Sequence, residues 1–147
     1  EGDITRVEAI ALLDEAERQG LVHCVSNFKT GMFYVCNCCG CCCGVLRGIT
    51  ESGLAHSVAA AAYRAIVDAE ACTGCGICAE RCQVKAIVVR DGVAVVDAAR
   101  CIGCGLCVTG CAPEAVRLER LPDAEVVEPP EDFAAWEAAR LASRGTK

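Results

Sequence analysis

Large aromatic side chains are nearly absent from this chain: Phe, Tyr and Trp together make six of 147 residues. Apolar residues reach 54%, yet much of that is alanine and cysteine, so little bulk is available to fill a core. A domain so supplied needs bound inorganic groups for folding energy, and we expect the metal-free chain to be largely unfolded. Long hydrophobic runs are missing too. None approaches the length of a transmembrane helix, and no segment has the pattern of a signal peptide. Basic residues are in short supply, 14 against 20 acidic, for a formal net charge of −6. Without a basic patch to release counterions, nucleic acid is excluded as a partner class. Catalytic constellations are also lacking: there is no conventional triad, paired-carboxylate motif or phosphate loop. Enzymatic activity is therefore left uncertain. The chain opens at Glu1 rather than methionine, which leaves an upstream segment open.

Cysteine is what the chain has in excess, fifteen in all. Eight of them form CTGCGICAERC (Cys72–Cys111 begins here) and CIGCGLCVTGC, two copies of C-x2-C-x2-C-x3-C offset by 29 residues. The repeat extends beyond the thiols: Val67-Asp68-Ala69 recurs as Val96-Asp97-Ala98, and Gly74 and Gly76 recur as Gly103 and Gly105. A cubane 4Fe–4S cluster needs four thiolates around a compact core, and this spacing lets one tight loop deliver three. Glycines inside the loop allow close backbone approach. Zinc ligands usually come as separated pairs, and disulfides give no reason for a repeat of every spacing. Thiols kept reduced imply a cytoplasmic setting, which we expect here.

By these residues the segment from about Tyr63 to Leu118 resembles the bacterial-type ferredoxins with two 4Fe–4S clusters. The resemblance covers a little over a third of the chain. It implies two cofactors, each borrowing its fourth thiolate from the other repeat. Cys72, Cys75 and Cys78 are then expected to share one cluster with Cys111, and Cys101, Cys104 and Cys107 the other with Cys82. It also implies an α+β ferredoxin-like module with pseudo-two-fold symmetry. The family usually carries proline directly after the fourth cysteine. Here Gln83 follows Cys82, and Ala112 follows Cys111 with Pro113 displaced by one.

Ahead of this module, Ile4 to Gln19 reads as an amphipathic helix, with Ile4, Val7, Ile10, Ala11, Leu13 and Ala16 near one stripe. A capping box at Thr5 and Glu8 (or a rival cap at Asp3) starts it, and Gly20 stops it. The stripe is expected to pack on the body. Two β-prone runs follow, Leu21 to Val25 and Met32 to Cys36, and a hairpin fits them. His23 and His56 read as hydrogen-bonded structural residues rather than ligands.

The run Cys36-Asn37-Cys38-Cys39-Gly40-Cys41-Cys42-Cys43 holds six cysteines in eight positions. Cys36, Cys39 and Cys42 repeat the C-x2-C-x2-C spacing, and Cys38 with Cys41 gives another C-x2-C. Position 46 is Leu46, so a fourth ligand has to come from elsewhere, with Cys24 first and His23 next. Three readings stay open: a third iron–sulfur or other thiolate metal centre, redox-active thiols, and a zinc knot or inert thiols.

From Ser57 to Ala62 an alanine-rich run suggests a short helix. Tyr63 to Val67 reads as the first strand of the module, and Ala86–Arg90 with Val93–Val96 as a hairpin turning at Asp91-Gly92. Ala115 to Leu118 closes it. Pro122, Pro129, Pro130 and five acidic residues mark 121–132 as an extended, solvated linker. A helix from about Phe133 to Ser143, capped by Asp132, ends the chain, with Trp136 expected to anchor it. The organisation expected is thus an N-terminal helix, hairpin and Cys-rich segment over 1–62, the two-cluster module over 63–120, and linker plus helix over 121–147.

Taken together, these features point to passage of single electrons through two 4Fe–4S clusters to a redox partner with a basic docking surface, complementary to the acidic chain. Two alternatives stand beside it. One is the electron-feeding segment of a redox enzyme whose third metal or thiol site lies at Cys36–Cys43, making this part of a larger chain or complex. The other is a metal or cluster carrier.

Overall fold

The computed structural model describes residues 2–59 and 61–144; the side chain of His56, and with it the reading of that histidine, lies outside the described residues. Among the described residues, five short α-helices and six strands follow in the order α1 (Arg6–Arg18), β1 (Val22–Val25), β2 (Val35–Cys38), α2 (Gly44–Ser52), β3 (Tyr63–Val67), α3 (Ile77–Arg81), β4 (Ile87–Arg90), β5 (Val93–Val96), α4 (Leu106–Thr109), β6 (Val116–Arg120) and α5 (Phe133–Arg144). The class is α+β. The strands form three antiparallel pairs, β1–β2, β3–β6 and β4–β5. Among the described residues, no helix is long and apolar enough to cross a membrane.

Helix α1 begins as expected. The Glu8 N–H donates to Thr5 Oγ1 at 3.3 Å, and the Thr5 N–H returns to Glu8 Oε2 at 2.8 Å. Its apolar stripe, however, does not pack on the body: Val7 is 77% exposed, Ile4 and Ile10 are exposed, and only Ala16 of the helix is buried. The polar C-terminal turn docks instead. Arg81 Nη2 donates to the Glu17 carbonyl at 3.0 Å and to its Oε1 at 2.9 Å, while Arg81 Nε reaches the Leu106 carbonyl at 2.8 Å. Charge-assisted bonds to a guanidinium replace burial as the tether.

The β1–β2 hairpin forms, but its second strand starts three residues later than the β-prone run suggests and carries on into the cysteines. Cys24 lies opposite Cys36 and Val22 opposite Cys38. Met32 and Phe33 stay in the connecting loop because that loop is held from outside. Lys29 and Thr30 donate backbone N–H bonds to the Pro130 and Glu131 carbonyls at 3.0 and 2.9 Å. Phe28, 5% exposed, takes Phe33 on one side and Phe133 edge-on, each at 6.1 Å. The 121–132 segment is mostly exposed, as a solvated linker would be, but it makes a turn after Pro122 and is fastened to the hairpin loop at Pro130 and Glu131. Asp132 Oδ1 accepts from the Ala135 N–H at 2.9 Å and caps α5. Phe133 meets Phe28 of the hairpin loop, and Trp136 is half-buried beside it. Trp136 stacks on Phe133 at 5.7 Å and lies under the Arg140 guanidinium at 5.1 Å.

Helix α2 is the element the sequence reading missed. Cys43 sits at its N-cap, Gly53 ends it with φ +66°, and Leu46 and Ile49 point inward, 0% and 3% exposed. The alanine-rich run after it does not form the short helix expected from Ser57. A 3-10 turn covers Ala55–Ser57, and the described residues beyond it have no regular structure until β3.

Two small cores result. One gathers Val22, Leu46, Ile49, Val84, Ala86 and Leu106, joining the hairpin and α2 to the 63–120 segment. The other is built from Ala65, Ile87, Ala94 and Val116 around Cys78 and Cys107. Leu46 is the largest fully buried side chain among the described residues.

Candidate metal centres

Within the repeats, each C-x2-C-x2-C loop runs through two glycines at positive φ before entering a short helix. Gly74 and Gly76 lie at +66° and +83°, and Gly103 and Gly105 at +67° and +85°. The first glycine of each pair also meets backbone. A Cβ on Gly74 would fall 2.3 Å from the Gly92 carbonyl oxygen, and one on Gly103 would fall 2.3 Å from that of Tyr63. Only glycine satisfies both the left-handed conformation and the contact.

The third cysteine of each motif lies in the first turn of α3 or α4, and the fourth follows that helix. These helices carry Cys82 and Cys111 away from their own loops. One cavity is consequently lined by Cys72, Cys75, Cys78 and Cys111, and a second by Cys82, Cys101, Cys104 and Cys107. Each cavity thus gathers three thiols of one repeat with the last thiol of the other. Cys78 and Cys107 are buried, while Cys75 and Cys104 are exposed.

Backbone amides point at the thiols in the same crossed fashion. The Ala94 N–H donates to Cys72 Sγ at 3.4 Å, and the Ala65 N–H to Cys101 Sγ at 3.5 Å. The Ala86 N–H adds a bond to Cys82 Sγ at 3.2 Å. Burial pushes the Cys107 thiol up to about 12, helped by the neighbouring Cys104, Cys101 and Cys82. Burial raises Cys78 as well, against the pull of the Ala79 N–H, with Cys111, Cys72 and Cys75 adding to the rise. Four mutually repelling thiols in a dry recess are unfavourable as free thiolates and favourable as ligands of a cationic core. The donor set, the amides aimed at sulfur and the space cleared by glycine all fit an iron–sulfur cluster.

Six of the seven remaining cysteines fall into two groups, with exposed Cys36 in neither. Cys24, Cys38 and Cys43 pack against the first core, beside Cys82 and Cys101. Cys38 is pushed up to about 12 by burial first, then by its thiol neighbours Cys43 and Cys24. Burial pushes Cys43 up, but the Leu46 and Val45 N–H groups at the start of α2 and the Cys38 thiol together outweigh it and lower it.

On the outer side, the Sγ atoms of Cys39, Cys41 and Cys42 all lie within 4.8 Å of one another. Hydrogen bonds from the Cys41 thiol and from the Cys42 and Cys41 N–H groups draw Cys39 down to about 7. The ligand group suggested by spacing is therefore split. Cys39 and Cys42 come together, with Cys41 as their third member; Cys24 goes with Cys38 and Cys43, and Cys36 faces Cys24 across the hairpin. The spacing pairs Cys41 with Cys38, but the structure groups it with Cys39 and Cys42, and the i, i+2, i+3 spacing of a tight turn is the signal for that trio. His23 Nδ1 is hydrogen-bonded to Asn37 Oδ1 at 2.7 Å, in keeping with a structural role.

No curated protein matches this chain in a sequence comparison. Residues 65–88 match the family described as 4Fe-4S binding domain, a stretch that contains Cys72, Cys75, Cys78 and Cys82. The chain thus carries a 4Fe–4S binding domain and binds at least one iron–sulfur cluster, consistent with a role in iron–sulfur electron transfer.

Proposed function

We propose that the 63–120 segment is a two-cluster ferredoxin-type module, its halves related by a pseudo-two-fold axis, and that it passes single electrons to a redox partner. Cys72, Cys75, Cys78 and Cys111 hold one 4Fe–4S cluster, and Cys82, Cys101, Cys104 and Cys107 the other. The observation that carries this reading is the crossed grouping of the eight thiols in two cavities. A bound 4Fe–4S cluster supplies a one-electron couple that the polypeptide itself lacks.

The chain's own residues set the terms of that couple. The amides of Ala65, Ala86 and Ala94 stabilise negative charge on sulfur. Ala65, Ile87, Ala94 and Val116 keep water away from the buried thiols. Burial and the net charge of −6 both disfavour added negative charge, so low reduction potentials are the outcome. Cys75 and Cys104 mark where each site reaches the surface, and an acidic exterior suits a partner with a basic rim.

Iron and acid-labile sulfide counted after anaerobic reconstitution test the reading. About eight of each per chain are expected. In Cys111→Ser, the site built on the first motif is expected to lose its normal spectrum while the second motif keeps its own. A count of about four, or damage confined to the second motif in that variant, overturns the assignment.

A further inference from the structure

We propose that Cys39, Cys41 and Cys42 form a site for one thiophilic closed-shell ion, Zn2+ or Cu+, separate from the two quartets. Scale is the first reason. A zinc-like ion bonded to sulfur at about 2.3 Å in tetrahedral geometry sets its sulfurs about 3.8 Å apart. Cys39 and Cys41 stand 2.9 Å apart at Sγ, Cys41 and Cys42 3.6 Å, and every pair lies within 4.8 Å, a range that brackets this spacing. Among the described residues, no other group of three or more Cys, His, Asp or Glu brings its donor atoms that close, the quartets included. The quartets are spread to surround a polynuclear core; the trio is drawn in to the size of one ion.

Prearrangement is the second reason. The Cys43 N–H closes the turn onto the Cys39 carbonyl at 3.1 Å. At its centre, the Gly40 N–H is fixed to Gln83 Oε1 at 2.7 Å. The three thiols are thus presented by a loop held at both ends and in the middle, so little ordering is left for binding to impose. Cys41 and Cys42 are exposed, which gives the ion a route in and leaves a coordination position facing solvent. Soft thiolates favour Zn2+ and Cu+ over Mg2+, Ca2+ or Mn2+.

The test uses the anaerobic, iron-loaded chain, titrated with Zn2+ and separately with Cu+ against a chromophoric chelator. One ion per chain is expected beyond the iron, with Cys41→Ser and Cys42→Ser each weakening its binding at least tenfold while iron content stays unchanged. Whichever ion is held against its chelator identifies the metal. Retention of neither ion overturns the proposal, as does equal retention by both variants, which places the ion on other thiols. An iron content near twelve that drops by about four in Cys41→Ser overturns it too, in favour of a third cluster. Iron counted on the same samples reports the quartets independently, and both substituted side chains are exposed, so folding is preserved.

Discussion

The Gly40 N–H and the side-chain Oε1 of Gln83 meet at 2.7 Å, and Gln83 Nε2 donates onward to the Gly20 carbonyl at 2.8 Å. One amide side chain thus ties the cysteine loop and the end of α1 to the residue that follows Cys82. The position where the ferredoxins carry proline is here a three-way junction. Approach at Gly40 is close enough that a Cβ would lie 2.4 Å from the Gln83 carbonyl oxygen.

Replacing Gln83 by alanine removes both side-chain bonds but leaves Cys82 in place. Loss of about 1 kcal/mol per hydrogen bond predicts roughly fivefold faster hydrogen exchange around Gly40 and Leu21. Iron content should stay at its wild-type value. Unchanged exchange at Gly40 would show that the junction does not hold the loop.

Arg81 plays the equivalent part for α1. Arg81→Met keeps the aliphatic stem and discards three charged hydrogen bonds, each worth about 1.5–3 kcal/mol. The C-terminal turn of α1 is expected to exchange at least tenfold faster. Glu17→Gln, which retains the backbone carbonyl as an acceptor, should have a smaller effect. Equal exchange rates in all three proteins would rule out the guanidinium as the tether.

Iron removal is predicted to unfold more than the cysteine loops. The core around Cys78 and Cys107 is largely alanine and short aliphatics, too little buried surface to offset chain entropy alone. Chelation under reducing conditions should therefore abolish the amide protection of Ala65 and Ala94 and flatten the strand contribution to the far-ultraviolet circular dichroism. A metal-free chain that keeps both would place the folding energy in the polypeptide.

Local signals account for what was legible in the sequence. The two cysteine motifs, the Asp91-Gly92 turn (φ +51° and +78°), the Thr5–Glu8 box and the Asp132 cap each act within a few residues. The rest depends on partners distant in the chain. Strand β2 starts late because Phe28, Phe33 and Phe133 claim the loop before it. Helix α2 was hidden because its inward face is only Leu46 and Ile49, straight after a run of thiols with no helical period. The division of the Cys36–Cys43 run follows from hairpin register and from Gln83, neither of which the spacing of cysteines encodes.

The bonds from Lys29 and Thr30 to Pro130 and Glu131 join positions a hundred residues apart, from either side of the iron–sulfur segment. Trimming the gene after residue 120 is consequently no neutral edit. It unbuckles a clasp, strips Phe28 of the edge-on cover from Phe133 and frees the very hairpin that presents Cys36 to Cys43. A minimal fragment excised around the repeats would keep its eight thiols and lose the other seven outright.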